Sequence, residues 1–200
     1  CGISSTINNA FVCKEEMQEK YPDAEICVFD SICASGGHGL LIYHAIENKK
    51  KGMSVKENMQ ALEELKHRIV HKFTVDDLTY LQRGGRISKT AAVIGGMIQL
   101  KPVLHVDTEG RLAAESKVRG RKKALNQLLA EMDICTGSYA DKQDVVLICH
   151  ADCPEDAEYV RAKVEEKYHP NKIIMSEVGP IVGAHVGPGT MVLIFEGDKR

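Results

Sequence analysis

Apolar residues recur along this chain with two different periods, and the change comes near residue 70. Before it the spacing is helical. Ala10, Cys13 and Met17 predict a helix within residues 4–21, and residues 39–49 predict a second, closed by Gly52. Ser54 and Glu57 stand at capping-box spacing ahead of a third helix reaching about residue 69, with Met59, Leu62, Leu65 and Ile69 on one face. Between the first two helices only residues 25–29, EICVF, read as a strand. Helices alternating with a buried strand are the pattern of a parallel α/β layer.

Beyond Val70 short apolar runs take over. HKFTV, KPVLHV, DVVLICHA, KIIMSEV and TMVLIFEG read as strands, and DTEG makes a turn into RLAAES. Helices are predicted over residues 121–132 and 154–168, the latter with Pro154 in its first turn. CTGSYAD and GPIVGAHVGPG read as loops. Five strands with three or four helices suffice for an α+β domain with a mostly antiparallel sheet. The division predicted is therefore residues 1–70, the remnant of a parallel α/β layer, and residues 71–200, an α+β domain. A parallel sheet with one strand is not a domain, and the chain opens at Cys1 on CGISSTINNA, so residues 1–70 are expected to be the later part of a larger N-terminal domain.

The stretch joining the two parts is TVDDLTYLQRGGRISKTAAVIGGMIQLKPVLHV. Thr74 and Asp77 have capping-box spacing, which predicts a short helix from residue 75. Gly84 and Gly85 end it, leaving Arg83 and Arg86 beside the loop. Ser88 is placed to cap a second helix whose apolar run, Ala91, Ala92, Val93, Ile94, Met97 and Ile98, is too broad for a solvated surface helix. Gly95 and Gly96 sit inside it at a cost of about 1 kcal/mol each relative to alanine, so something is expected to approach the backbone there. Pro102 ends that helix and begins a strand over residues 103–106.

Composition narrows the classes. With 44% hydrophobic and 27% charged residues the chain suits a soluble globular protein. A net charge of -2 gives no general attraction to nucleic acid or to an anionic membrane. No apolar run approaches the roughly 18 to 20 residues of a membrane span, so no stable membrane insertion is expected. The seven cysteines are odd in number and scattered, which points to reduced, buried thiols and a cytoplasmic protein.

Several motifs invite chemistry. SGGHG after a strand resembles a dinucleotide turn, but the third glycine position falls on Ile42 and no acidic residue follows at the needed distance. A tight turn with close helix–strand packing is expected instead, and no cofactor. Cys149 and His150 would point to opposite faces of a strand, so with Cys153 they make no metal site. RGRKK, residues 119–123, could bind nucleic acid, yet it begins an amphipathic helix where solvated charges are ordinary. Ser4, Ser5 and Thr6 cluster at a helix start, where hydroxyls and backbone N–H groups can either hold an anion such as a carboxylate or serve as an N-cap. His185, among Gly183, Gly187, Pro188 and Gly189, is held by a loop beside the apolar strand MVLIF.

The order of YLQRGGRIS, the apolar glycine-containing run, LKPVL, DTEG and KVRGRKKA resembles the DegV family of bacterial fatty-acid-binding proteins. SSTINNA, FDSICASGGHG and VGAHVGPGT match it in the same order, so the likeness spans essentially the whole chain. It implies that one long-chain fatty acid binds with its carboxylate at Ser4, Thr6 and His185. Its tail would lie in a pocket lined by Val93, Ile94, Gly95, Gly96, Met97 and Ile98. Ser4 matches the serine of the family's Leu-Ser-Gly-Thr motif, although Ser5 replaces the glycine and Ile7 the aromatic. HVGPG matches the His-x-Gly-Pro-Gly motif, which assigns His185 to the carboxylate. The resemblance also implies presentation of the acid to a fatty-acid kinase, for phospholipid synthesis, with no catalysis by this chain; Arg83 and Arg86 are candidates for contacting that partner or its phosphate, the alternative being that they only brace the loop. Two other readings stand beside it. One is a serine hydrolase using Ser4 or Ser5 with His185 and Asp30, although no Gly-x-Ser-x-Gly elbow is present. The other is a nucleic-acid regulator acting through RGRKK.

Overall fold

The computed structural model describes residues 2–88 and 100–200. Three helices come first, α1 (Thr6–Lys20), α2 (Gly36–Lys50) and α3 (Val55–Leu65). They are followed by β1 (Ile69–Thr74), α4 (Leu78–Arg83), β2 (Leu100–Val106) and β3 (Leu112–Arg119). The chain continues through α5 (Arg121–Thr136), β4 (Val145–Ala151), α6 (Pro154–Tyr168), β5 (Lys172–Glu177), α7 (Pro180–Val186) and β6 (Thr190–Glu196). The strands form one six-stranded sheet in the order β3-β2-β1-β6-β4-β5. Only β4 and β5 run parallel; the other pairings are antiparallel.

Both faces of the sheet are covered, which explains why the inner strands are apolar without interruption. On one face Leu40, Leu41, Leu62 and Leu65 of α2 and α3 pack with Phe73, Leu147, Cys149, Val192 and Ile194. On the other, Leu125, Leu128 and Met132 of α5 and Val160 and Val164 of α6 pack with Val70, Val146, Ile148, Leu193 and Phe195. The glycines of SGGHG serve this packing. A side chain at Gly36 would meet Cys149 and Ile194, and one at Gly37 would run into the His71 ring. The capping box at Ser54 and Glu57 forms as expected, with the Glu57 amide donating to Ser54 Oγ and the Ser54 amide to the Glu57 carboxylate.

Several elements differ from the sequence-based expectation. Residues 25–29 form no strand and pair with none of the six described strands. RLAAES, taken as the segment after a turn, is part of β3 and supplies a sixth strand. The helix expected from residue 75 starts at Leu78, because Thr74 stays in the sheet opposite Met191 and Val103. Asp77 is its cap, accepting the Thr79 amide at 2.8 Å. β2 begins at Leu100, before Pro102; β1 pairs only from Val103 onward, so the proline costs that ladder no donor. GPIVGAHVGPG is not a loop throughout, since Pro180 opens α7 within it, and Gly137–Tyr139 forms a single 3-10 turn in CTGSYAD. Cys13 and Cys27 are exposed rather than buried, whereas Cys33, Cys135 and Cys149 are buried. The helix expected over residues 91–98 lies outside the described residues. Among the described residues no helix is long and apolar enough to cross a membrane.

The second face contains a buried cation. Lys72, 2% exposed, lies 2.7 Å from both oxygens of Glu115 and 3.7 Å from Glu131. Removing one partner of such a pair strands the other charge. Lys72→Ala is expected to lower stability by about 3 kcal/mol in urea unfolding, and Lys72→Ala with Glu115→Gln less than the sum of the two single changes. Additive losses would show that the pair is not coupled.

A candidate ligand cavity on the first face

A cavity of about 210 Å³ opens on the α2–α4–α7 side of the sheet. His71 and Phe73 of β1 and Val192 of β6 form its floor, and Leu81 of α4 and Val106 and Leu112 of the β2–β3 hairpin close one side. Val178, Ile181, Val182 and Val186 bring the apolar side of α7 to it, and Ile3, Ser4, Ala34 and Ser35 come from the segments before α1 and α2. The wall is mostly aliphatic, with polar groups in few places. That composition suits a molecule with a long apolar body and a small polar end.

Two of the predicted carboxylate residues meet here. Ser4 and His185, from opposite ends of the chain, line the same cavity. Ser4 Oγ lies 2.7 Å from Thr6 Oγ1 and accepts the Thr6 amide at 3.2 Å. Thr6 is therefore tied to the site through Ser4 rather than placed in the wall. The N-cap position itself is Ser5, whose side chain makes no capping bond. Arg86 also lines the cavity and donates from Nη1 to Gly84 O at 2.6 Å, whereas Arg83 is exposed and outside it. Val93, Ile94, Gly95, Gly96, Met97 and Ile98 lie outside the described residues.

His185 is held by contacts that the sequence did not announce. Its Nδ1 is buried with no hydrogen-bond partner among the described residues. The ring instead rests on Gly84, where any Cβ would collide with Nδ1. Gly84 has an ordinary helical φ of -72°, so glycine is needed there for space and not for conformation. Its neighbour Gly85 is the reverse case, with φ +70 and open space around it. One turn on, Gly187 lets the Tyr80 ring of α4 approach within 2.6 Å of where a Cβ would stand. Thr190 Oγ1 donates to the carbonyls of Val186 and Gly187, closing the end of α7.

This geometry bears on the hydrolase reading. A triad histidine presents Nδ1–H to a carboxylate. Here that nitrogen faces the Gly84 backbone, and Asp30 accepts the Ile32 amide at 3.0 Å instead. Nor do the other motifs assemble. Among the described residues no group of three or more His, Cys, Asp or Glu side chains could hold a metal. In RGRKK, Arg121 is engaged by Asp156 and Asp76, and Lys122 lies over the Tyr159 ring.

Sequence reading missed His71. It occupies the apolar stretch IVHKFTV, and its period-two relation to Ile69 and Phe73 was the available signal. The Ala34 amide donates to its Nε2 at 3.4 Å. Burial, and then the Arg200 charge, push its pKa down to about 3, so the ring is neutral in the folded protein. Arg200 reaches this region by donating to the carbonyls of Lys66 and Ile32. Beside His71, Ser35 holds φ +48 and ψ -129, a region that L residues sparsely populate, at a cost on the order of 1–3 kcal/mol.

The family model described as "Uncharacterised protein, DegV family" matches residues 1–198. A DegV domain-containing protein of Clostridium perfringens is 41% identical over 198 residues, covering 99% of this chain and 67% of its own. The chain belongs to the DegV family. A DegV domain-containing protein of Lactococcus lactis is 34% identical and is covered over 65% of its length. The chain thus spans about two thirds of the length of the curated relatives it matches. Among solved structures, DegV of Bacillus subtilis, described as a fatty acid binding protein, is 30% identical with a TM-score of 0.81, over 98% of this chain and 68% of that one. The Streptococcus pneumoniae Fatty Acid Kinase (Fak) B3 protein, loaded with linoleic acid, has a TM-score of 0.90 at 21% identity, over 98% and 69%. That second likeness is one of fold. The mixed α/β architecture with one parallel strand pair is that of DegV structures.

Two outcomes follow from the DegV cavity. Gly84→Ala should displace the His185 ring and change its imidazole NMR shifts, whereas Gly85→Ala should cost about 1 kcal/mol through its positive φ and leave those shifts in place. Matching shifts in both variants would remove the steric role of Gly84. The second concerns His71. Between pH 6.5 and about 3 the unfolded chain binds a proton on this residue that the folded protein does not, so stability falls as pH drops through that window. His71→Gln should flatten this part of the stability–pH curve; an unchanged slope would assign the acid sensitivity to other groups.

Proposed function

We propose that this chain binds one long-chain fatty acid, head at Ser4 and His185 and tail along the apolar wall, and presents it to a fatty-acid kinase. The observation that carries the reading is that Ser4 and His185, far apart in sequence, line one mostly apolar cavity. DegV of Bacillus subtilis, 30% identical and described as a fatty acid binding protein, supports it. So does the physical balance of the site. Burying about fourteen methylenes at roughly 0.8 kcal/mol each gives about 11 kcal/mol before ordering costs. A hydrogen bond to a carboxylate adds about 1.5–3 kcal/mol, so the head group chiefly sets orientation.

In the proposed reaction the carboxylate oxygen attacks the terminal phosphorus of a nucleoside triphosphate held by the kinase. The new O–P bond forms as the bond to the nucleoside diphosphate breaks, and an acyl phosphate results. This chain supplies binding and orientation, and the partner supplies the catalytic groups. Arg83, exposed at the end of α4, is assigned to the partner surface, while Arg86 belongs to both surface and cavity wall.

The test uses the full-length protein. His185→Ala should weaken binding of a sixteen-carbon acid by roughly 10- to 100-fold, the equivalent of one charge-assisted hydrogen bond. Val182→Phe, which adds volume to the wall, should discriminate against long acids more than short ones. Arg83→Ala should slow acyl phosphorylation with little change in acid affinity. Loss of affinity spread evenly over a ladder of chain lengths, following a lower melting temperature, would defeat the cavity assignment.

A further inference from the structure

Among the described residues of the cavity wall, most polar side chains already have a task. Ser4, His185 and Arg86 belong to the head-group end, and Thr190 commits its hydroxyl to the carbonyls of Val186 and Gly187. His71 and Ser35 remain, one from the floor and one from the start of α2. His71 is 1% exposed. The far edge of its ring is packed on α2: Nε2 accepts the Ala34 amide at 3.4 Å, and a Cβ at Gly37 would collide with the same atom. In a neutral imidazole an accepting Nε2 puts the proton on Nδ1. That Nδ1–H is buried without a hydrogen bond of normal geometry among the described residues, the Ile69 backbone acting on the ring only as a nearby dipole. An unpaired donor in an apolar wall is costly, and a ligand atom that pairs with it removes the cost. Ser35 stands one residue from the Ala34 amide. Its hydroxyl serves the buried Cys149 thiol, and its oxygen keeps lone pairs that can accept.

We propose that His71 and Ser35 form a second polar subsite in the cavity, which receives a hydroxyl group carried on the hydrocarbon chain of the ligand. The ligand class is then a hydroxy fatty acid. A hydroxyl answers both residues at once, accepting from His71 Nδ1–H and donating to Ser35 Oγ, whereas a keto oxygen would answer only the first. A neutral ring offers no charge to a second carboxylate, so the subsite selects an uncharged oxygen. A site built to hydrogen-bond a ligand hydroxyl also discriminates against the analogue that lacks it, because the protein donor is then left unpaired. The inference rests on the fatty-acid reading given above, since the hydroxyl is brought in by a chain whose carboxylate is held at Ser4 and His185.

The experiment titrates the full-length protein with octadecanoic acid and with its 3-, 10- and 12-hydroxy derivatives. One positional isomer should bind at least as tightly as the plain acid, whereas a hydroxyl pressed on an apolar wall would weaken binding about tenfold. With that isomer bound, the His71 Nδ1–H resonance should move downfield, and with the plain acid it should not. His71→Leu should lower the affinity for that isomer, relative to the plain acid, by about tenfold. His71→Asn places an amide nitrogen near the position of Nδ1 and should restore part of the ratio; His71→Gln, which reaches toward Nε2, should not. The NMR comparison needs no variant, so it decides the matter even where a substitution at this buried position prevents folding. Weaker binding of every hydroxy acid, or an isomer preference that survives His71→Leu, would overturn the subsite and leave the fatty-acid reading standing. A wild-type protein that binds neither plain nor hydroxy acids would remove the underlying reading as well.

Discussion

The cavity depends on the pairing of β1 with β6 at the centre of the sheet. Their register sets His71 opposite Ile194, Phe73 opposite Val192 and Val70 opposite Phe195. Opposed residues share a face, so this register sends His71, Phe73, Val192 and Ile194 toward α2, α4 and α7. It sends Val70, Lys72, Leu193 and Phe195 toward α5 and α6. A slip by one residue would exchange the two sets and put a lysine into the aliphatic wall. The paired ends matter too. Beyond Thr190 the chain turns directly into the Gly187–Gly189 segment and α7, so the same ladder that fixes the floor also fixes the position of His185.

Neighbouring residues of β1 show how the two faces treat an ionisable group. Lys72 is buried but keeps company with Glu115 and Glu131, so its burial is offset by charge pairing. His71, one residue earlier and on the other face, has no carboxylate partner among the described residues and yields its charge instead. The cavity face thus stays electrically quiet along its floor. Its cationic character is confined to the rim, where Arg86 stands. For an amphipathic ligand this is a direction: an apolar floor beneath, with positive charge and hydroxyls at the opening.

Most of the elements could be read from local pattern, because capping residues and apolar periods are local properties. α6 agrees with its expected bounds, since Pro154 and the αL residue His169 mark both ends. The errors came where tertiary pairing overrode a local signal. Thr74 has the right spacing for a cap, but its backbone is claimed by both β2 and β6, so Asp77 caps α4 instead. Residues 25–29 have a strand composition, and composition does not provide a pairing partner. At the site, Ser4 and His185 were legible through motifs that resemble a family pattern. His71, Leu112 and Val182 were not, because each is defined by what folds against it. Gly84 and Gly85 look identical in sequence, and only the structure separates one required for space from one required for its φ.

That separation gives the loop between Arg83 and Arg86 a mechanical meaning. Gly84 touches the His185 ring with its backbone and accepts Arg86 with its carbonyl. The exposed arginine, the arginine at the rim and the histidine in the wall are therefore connected through one peptide unit and its neighbours. No long chain of intermediates is needed. A movement of the ring has little slack to take up, because its buried face meets backbone and not a flexible side chain. On the proposed reading, occupancy of the head-group site and the posture of the arginine loop are then coupled by contact. A partner that docks on Arg83 would encounter a surface whose geometry already depends on whether the head-group site is filled.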